Sequence, residues 1–212
     1  MFNRTTGLIM VAALAAGLGL LASKAFFAGR DADTRPMQTV KLFPQPRALP
    51  AFALRQSDGT QLTPGELAGH WTVVFLGFTH CPDICPTTLA ELAQAQKKWA
   101  ALPDSTRPRV LFVSVDPDRD TPMKIGDYVR AFHRDTLAAT ADVPALEVFA
   151  KSMSMVFIKM EPEAGASANQ YSVDHSASLA VLDPQGRMAG VITPPLVPNS
   201  IAADLIALTS TK

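Results

Sequence analysis

Residues Trp71-Thr72-Val73-Val74-Phe75-Leu76-Gly77-Phe78-Thr79-His80-Cys81-Pro82-Asp83-Ile84-Cys85-Pro86 hold an apolar run, a turn with two cysteines and the start of a helical pattern. An uncharged run without polar alternation predicts a strand covered on both faces. Pro86, with its fixed φ and missing N–H, suits a first helical position, which makes Cys85 the predicted N-cap beside the positive end of the helix dipole. That setting favours thiolate over thiol, whereas the Asp83 carboxylate opposes a second negative charge. Cys81 and Cys85 are the only cysteines in the 212-residue chain, so any thiol chemistry takes place in this turn.

On the C-terminal side, Leu89, Leu92, Ala93 and Trp99 recur at helical spacing over residues 86–102, and residues 109–115 form a second buried strand. Thr121-Pro122 opens another helix with Ile125, Tyr128, Val129 and Phe132 on one face. Residues 142–153 predict a third, with Leu146, Phe149 and Met153 inward. A short apolar stretch at residues 155–159 precedes a loose polar loop at 161–170, and Val173-Asp174-His175-Ser176 leads into a strand at 178–182. Asp183-Pro184-Gln185-Gly186 suits a type I turn and pairs that strand with residues 187–192. Asn199 caps a last helix that turns Ile201, Leu205 and Leu208 inward. Upstream, Phe52-Ala53-Leu54 and the Ser57-Asp58-Gly59 turn predict a small hairpin. Strand, cysteine turn, helix, strand, then a late hairpin and a closing helix is the order of a thioredoxin-like α/β fold.

At 48% hydrophobic content the chain supports one well-cored domain and a terminal appendage. A formal net charge of zero without a long basic run excludes a nucleic-acid-binding role. Arg4 precedes an uncharged, almost wholly apolar run over residues 7–22; Phe26, Phe27 and a snorkelling Lys24 extend it toward the roughly 20 residues that a bilayer core needs. Ser23-Lys24-Ala25 also fits a small-x-small cleavage site, but lysine is unusual there, and an uncleaved transmembrane anchor over residues 1–30 is favoured. Arg4 then stays inside and the rest is exported, with residues 31–50 as a tether and the domain at 51–212 in the periplasm or an equivalent compartment. A lone cysteine pair in such a compartment is either a disulfide or a ligand set.

FLGFTHCPDICPTTLAEL (residues 75–92), VSVDPDRDTP (113–122) and YSVDHSASLAVLDPQG (171–186) closely resemble the three signature segments of the Sco family, also called SenC, copper-binding assembly factors of cytochrome c oxidase. Order and spacing match over residues 51–208, and an N-terminal anchor is usual in that family. The resemblance implies that Cys81, Cys85 and His175 bind copper as Cu(I), Cu(II) or both. It also implies a metallochaperone rather than an enzyme, with a copper donor protein and a copper-accepting oxidase subunit as partners. Chemistry agrees: two thiolates and an imidazole form a soft set suited to three-coordinate Cu(I), whereas a structural zinc site demands four protein ligands. His175 occupies the segment where a typical thioredoxin has a cis-proline, and Asp174 is expected to orient its imidazole.

Other residues receive blander readings. His80 is expected to be a loop histidine, and His70 and His133 to face solvent. Asp116, Asp118, Arg119 and Asp120 are expected to make turn and capping bonds rather than to hold a hard cation. Met153, Met155 and Met160 have spacings that fit core packing and a strand end. Where relatives commonly have a Gly-Leu-Thr-Gly turn, this chain has Ala138-Ala139-Thr140-Ala141, and the turn is expected to run differently. Two enzymatic alternatives remain: a thiol–disulfide oxidoreductase in which Cys81 and Cys85 reduce the acceptor's cysteines, and a peroxiredoxin-like peroxidase, against which Pro82 and His175 speak.

Overall fold

The computed structural model describes residues 13–17, 19, 37–162, 164–165, 167 and 169–210. In chain order these form β1 (Val40–Arg47), β2 (Leu54–Gln56), β3 (Gln61–Leu62), a 3-10 turn (Pro64–Leu67), β4 (Thr72–Gly77), α1 (Ile84–Trp99), β5 (Arg109–Ser114) and α2 (Pro122–Arg130). They continue with β6 (Leu137–Thr140), α3 (Val143–Ser152), β7 (Phe157–Lys159), β8 (Val173–His175), β9 (Leu179–Leu182), β10 (Met188–Ile192) and α4 (Pro198–Ser210). Eight strands make one mixed sheet in the order β1-β10-β9-β4-β5-β6-β2-β3, and β7 and β8 form a separate ribbon. At its centre β4, β5 and β6 run parallel, with β9 antiparallel to β4.

The central strands are as apolar as the sequence requires. Val73, Val74, Phe75 and Leu76 of β4 and Val110, Leu111, Phe112 and Val113 of β5 are fully buried. Leu89, Leu92 and Trp99 of α1 are buried too, each worth on the order of 1.5–3 kcal/mol relative to exposure. Thr121 and Asp142 cap α2 and α3, accepting the N–H groups of Lys124 and Ala145. The β9–β10 hairpin closes through the N–H of Gly186 donating to the Asp183 carbonyl, with Gly186 at φ +71°, a conformation that L side chains resist.

Four expectations are corrected. Helix α1 begins at Ile84, with Asp83 at the cap position, so Cys85 lies inside the first turn; Pro86, two residues on, still falls among the four N–H groups that have no intrahelical partner. Helix α4 likewise starts at Pro198, which puts Asn199 within the helix. Residues 138–140 lie in β6, parallel to β5, and among the described residues no alanine has a positive φ, so glycine is not needed there.

The 31–50 tether is also too long, because residues 40–47 form β1, antiparallel to β10, and the compact unit begins at Gln38. Pro44 and Pro46 suggested a loop, yet β1 is an edge strand with a register shift between Leu42 and Arg47, where prolines without a ladder N–H are tolerated. Its start is pinned by the buried Asp204 carboxylate of α4, which accepts the N–H groups of Gln38, Thr39 and Val40 at 2.9, 2.7 and 2.9 Å. The predicted anchor falls almost wholly on residues outside those described. Among the described residues no helix is long and apolar enough to cross a membrane.

Asp204→Ala removes the acceptor of three backbone donors and is expected to lower unfolding free energy by about 2–3 kcal/mol in urea titrations, with early loss of amide protection at Val40.

Candidate metal centre

β4 and β5 end side by side, with Gly77 opposite Ser114, so the loops that leave them emerge at the same edge of the sheet. After β4 comes the cysteine turn, closed by the Cys81 N–H donating to the Phe78 carbonyl at 3.3 Å. Cys81 is partly exposed and Cys85, on the first turn of α1, is fully buried; both are free thiols. Asp83 makes no side-chain cap bond, and the Cys81 sulfur instead accepts the Cys85 N–H at 3.3 Å. Gly77 makes room for this: a Cβ there would stand 2.7 Å from the Phe112 ring and 3.0 Å from Cys85 Sγ.

His175 arrives at the end of β8. Its Nε2 is 3.5 Å from Cys85 Sγ, and one donor atom from each of Cys81, Cys85 and His175 lies within 4.8 Å of the other two. The Phe75 and Phe78 rings meet the imidazole edge-on at 5.9 and 6.1 Å and hold its plane. His175 Nδ1 is 3.2 Å from the Ser176 carbonyl, which can only accept, so the proton sits on Nδ1 and the Nε2 lone pair faces the sulfurs. The orienting group is therefore that carbonyl; Asp174, the neighbour expected to do this, is exposed at the cleft and acts on the imidazole through its charge.

Burial sets the charge state. Desolvation pushes the Cys85 thiol far above its ordinary value and pulls His175 below its own, so at neutral pH Cys85 is a protonated thiol and His175 a neutral imidazole. The sequence-based expectation that the helix N-terminus favours a Cys85 thiolate is thus reversed by burial. Both forms suit an incoming cation, since a metal displaces the thiol proton and finds the imidazole lone pair free. Cys81 and His175 open on a cleft of about 530 Å³ edged by exposed Ile84 and Met160.

The remaining sequence candidates separate clearly. His80 projects toward Lys124 Nζ (3.4 Å) and Asp120 (3.9 Å), and it groups with Asp116 and Asp120 rather than with the cysteines. Those carboxylates already have partners, Thr79, Ser114 and Lys124 on Asp120 and Arg119 and Tyr171 on Asp116. His70 is buried against the Arg107 carbonyl rather than solvent-facing, and His133 is half-buried. Met153 and Met155 are core residues, whereas Met160 is exposed at the cleft. Sequence reading did not single out Phe75, Phe78 and Ser176 as neighbours of the imidazole, because they meet it only through the fold.

Comparison with known proteins places this geometry in context. The sequence profile described as SCO1/SenC matches residues 42–210. A Stutzerimonas stutzeri protein named for copper binding is 33% identical over 159 residues, covering 74% of each chain. The mitochondrial SCO1 homolog 1 of Arabidopsis thaliana is 36% identical over 136 residues, which span 63% of this chain and 39% of that longer one. The crystal structure of Arabidopsis thaliana ScoI with copper bound superposes with a TM-score of 0.68 at 30% identity, covering 77% of this chain and 98% of that one.

Two outcomes follow from the burial of these groups. For the reduced apoprotein, His175 has a lowered folded pKa, so the unfolded chain binds the extra proton and stability falls as pH drops below about 6.5. Cys85 has a raised one, so the unfolded chain loses its proton first and stability falls as pH rises above about 9. Urea unfolding across pH 5–10 should show both limbs, with the acid limb shallower in His175→Asn and the alkaline limb shallower in Cys85→Ser; unchanged limbs would contradict the assignment. Gly77→Ala should cost about 1–3 kcal/mol by overpacking, read in the same titrations.

Proposed function

The chain belongs to the SCO1/SenC family, and from that membership we propose that it is a copper-binding metallochaperone whose cargo is held by Cys81, Cys85 and His175. The observation that carries this reading is the convergence of two sulfurs and an imidazole nitrogen within 4.8 Å of one another beside an open cleft. Three soft donors hold Cu(I) well, and a low-coordinate ion leaves an approach for a ligand from the acceptor. Copper then passes by stepwise ligand exchange without release into solution. Buried Cys85 forms the inner wall of the site, while Cys81 and His175, both partly exposed, line the cleft by which an acceptor enters.

The acceptor in this reading is the subunit of cytochrome c oxidase that carries its dinuclear copper centre, and a separate donor protein supplies the ion. The signal-like N-terminus, with Arg4 ahead of the apolar run, supports an exported domain held at the inner membrane and facing the periplasm. The described residues of segment 161–170 are mostly exposed and follow Met160, which lines the cleft, and in this reading they supply a contact surface for partners.

A second reading, thiol–disulfide exchange, is favoured by the two free cysteines four residues apart, with the Cys81 sulfur accepting the Cys85 N–H. Cys81 would attack an acceptor disulfide and Cys85 would displace the mixed disulfide. Two electrons and two protons would pass to the acceptor and leave Cys81–Cys85 oxidised. The high pKa of Cys85 assigns it the resolving role and makes Cys81 the attacking thiol.

His175→Ala separates the two. Titration of the reduced protein with Cu(I) against a chelator, and with Cu(II) followed by thiolate-to-metal absorption, should show affinity lowered by about 10–100-fold or more. Exchange with a small disulfide should stay near the wild-type rate. Undiminished copper affinity in this variant would contradict the three-donor assignment.

A further inference from the structure

We propose that Arg119 is a positioning residue that sets the distance between the cysteine turn and His175; the inference rests on the three-donor reading above. His175 sits on the β7–β8 ribbon, which shares no ladder with the main sheet, whereas Cys81 lies in the turn after β4 and Cys85 on the first turn of α1. A side-chain bridge between these parts comes from the loop that leaves β5 next to the cysteine turn.

Arg119 lies at the centre of that loop with 13% of its side chain exposed. Its Nη1 donates to the carbonyls of Asn169 and Tyr171 at 3.0 and 2.9 Å, just ahead of β8. Its guanidinium carbon stands 3.6 Å from the Tyr171 ring centre and 5.7 Å from that of Phe78, the ring that also meets His175. Nε binds Asp116 Oδ2, and the Tyr171 hydroxyl donates to Asp116 Oδ1, so arginine, aspartate and tyrosine lock one another. On β7, Lys159 reaches Asp118 at 2.8 Å and the Tyr171 ring at 3.9 Å.

The same loop grips the other half of the site. Asp120 accepts the Thr79 N–H at 2.8 Å, the Thr79 hydroxyl at 2.5 Å and the Ser114 hydroxyl at 2.7 Å, fixing the backbone two residues ahead of Cys81. Five consecutive residues thus hold the dithiol turn at one end and the approach to His175 at the other. Arginine is needed at position 119 because its planar fork donates in several directions while stacking between two rings; a lysine ammonium keeps the charge and loses the geometry.

The test compares copper binding by wild-type protein, Arg119→Lys, His175→Ala and the double variant, each shown by cooperative thermal unfolding to be folded. Arg119→Lys is expected to lower Cu(I) affinity by about tenfold or more and to shift the Cu(II) charge-transfer band and electron paramagnetic resonance signal toward those of His175→Ala. In the His175→Ala background the lysine should have no further effect, because there is no imidazole left to position. Wild-type affinity and spectra in Arg119→Lys, or an equal loss in both backgrounds, would overturn the proposal while leaving the three-donor reading intact. A wild-type protein without a thiolate-to-copper band would overturn both. Should Arg119→Lys fail to fold, Tyr171→Phe loosens the same lock by one hydroxyl: severalfold weaker binding that disappears in the His175→Ala background supports the proposal, and unchanged binding overturns it.

Discussion

Cys85 Sγ and His175 Nε2 stand 3.5 Å apart although ninety residues separate them in the chain, and the chemistry of the site depends on that contact being held. Neither partner is placed by its neighbours in sequence. Cys85 is fixed by α1 packing beneath the end of β4, where Gly77 admits its sulfur against the sheet. His175 is fixed by the aromatic edges of Phe75 and Phe78 and by the carbonyl of Ser176. Packing and hydrogen bonds of the protein itself thus hold the two donors in contact.

The electrostatics follow the same logic. Burying two anionic sulfurs beside each other without a counter-charge would be costly, and the domain avoids this by keeping Cys85 protonated and His175 neutral. Charges that the surroundings do need are placed a short distance away, where Asp116, Arg119, Asp120 and Lys124 neutralise one another and bond to the backbone. A buried protonated thiol and a neutral imidazole thus stand beside a paired ionic scaffold. A cation that displaces the thiol proton relieves the desolvation that held it on, which ties metal affinity to pH.

Much of this was legible in the sequence where local chemistry dominates. The apolar runs of β4 and β5, the Thr121 and Asp142 caps, the Asp183–Gly186 turn and the hairpin at residues 54–62 depend on a few adjacent residues, and the structure agrees with them. The misreadings arose where tertiary context overrides local preference. Pro44 and Pro46 suit a loop but also suit an edge strand, and the buried Asp204 that anchors that strand lies 164 residues from Val40. Asp174 adjoins His175 in sequence, yet the imidazole Nδ1 is taken by the Ser176 carbonyl. Cys85 sits at a helix start that favours thiolate, but complete burial outweighs the helix dipole. The three candidate donors came from the family resemblance, whereas residues 116–120, which read as an ordinary turn, proved to bond both the cysteine turn and the segment ahead of β8.

X-ray absorption at the copper edge of the reduced, Cu(I)-loaded protein tests the central claim most directly, because it counts the donors around the ion. Two sulfurs and one nitrogen, with the nitrogen lost on replacing His175, is the expected result. A shell of sulfur alone, or one unchanged without the imidazole, would contradict the account.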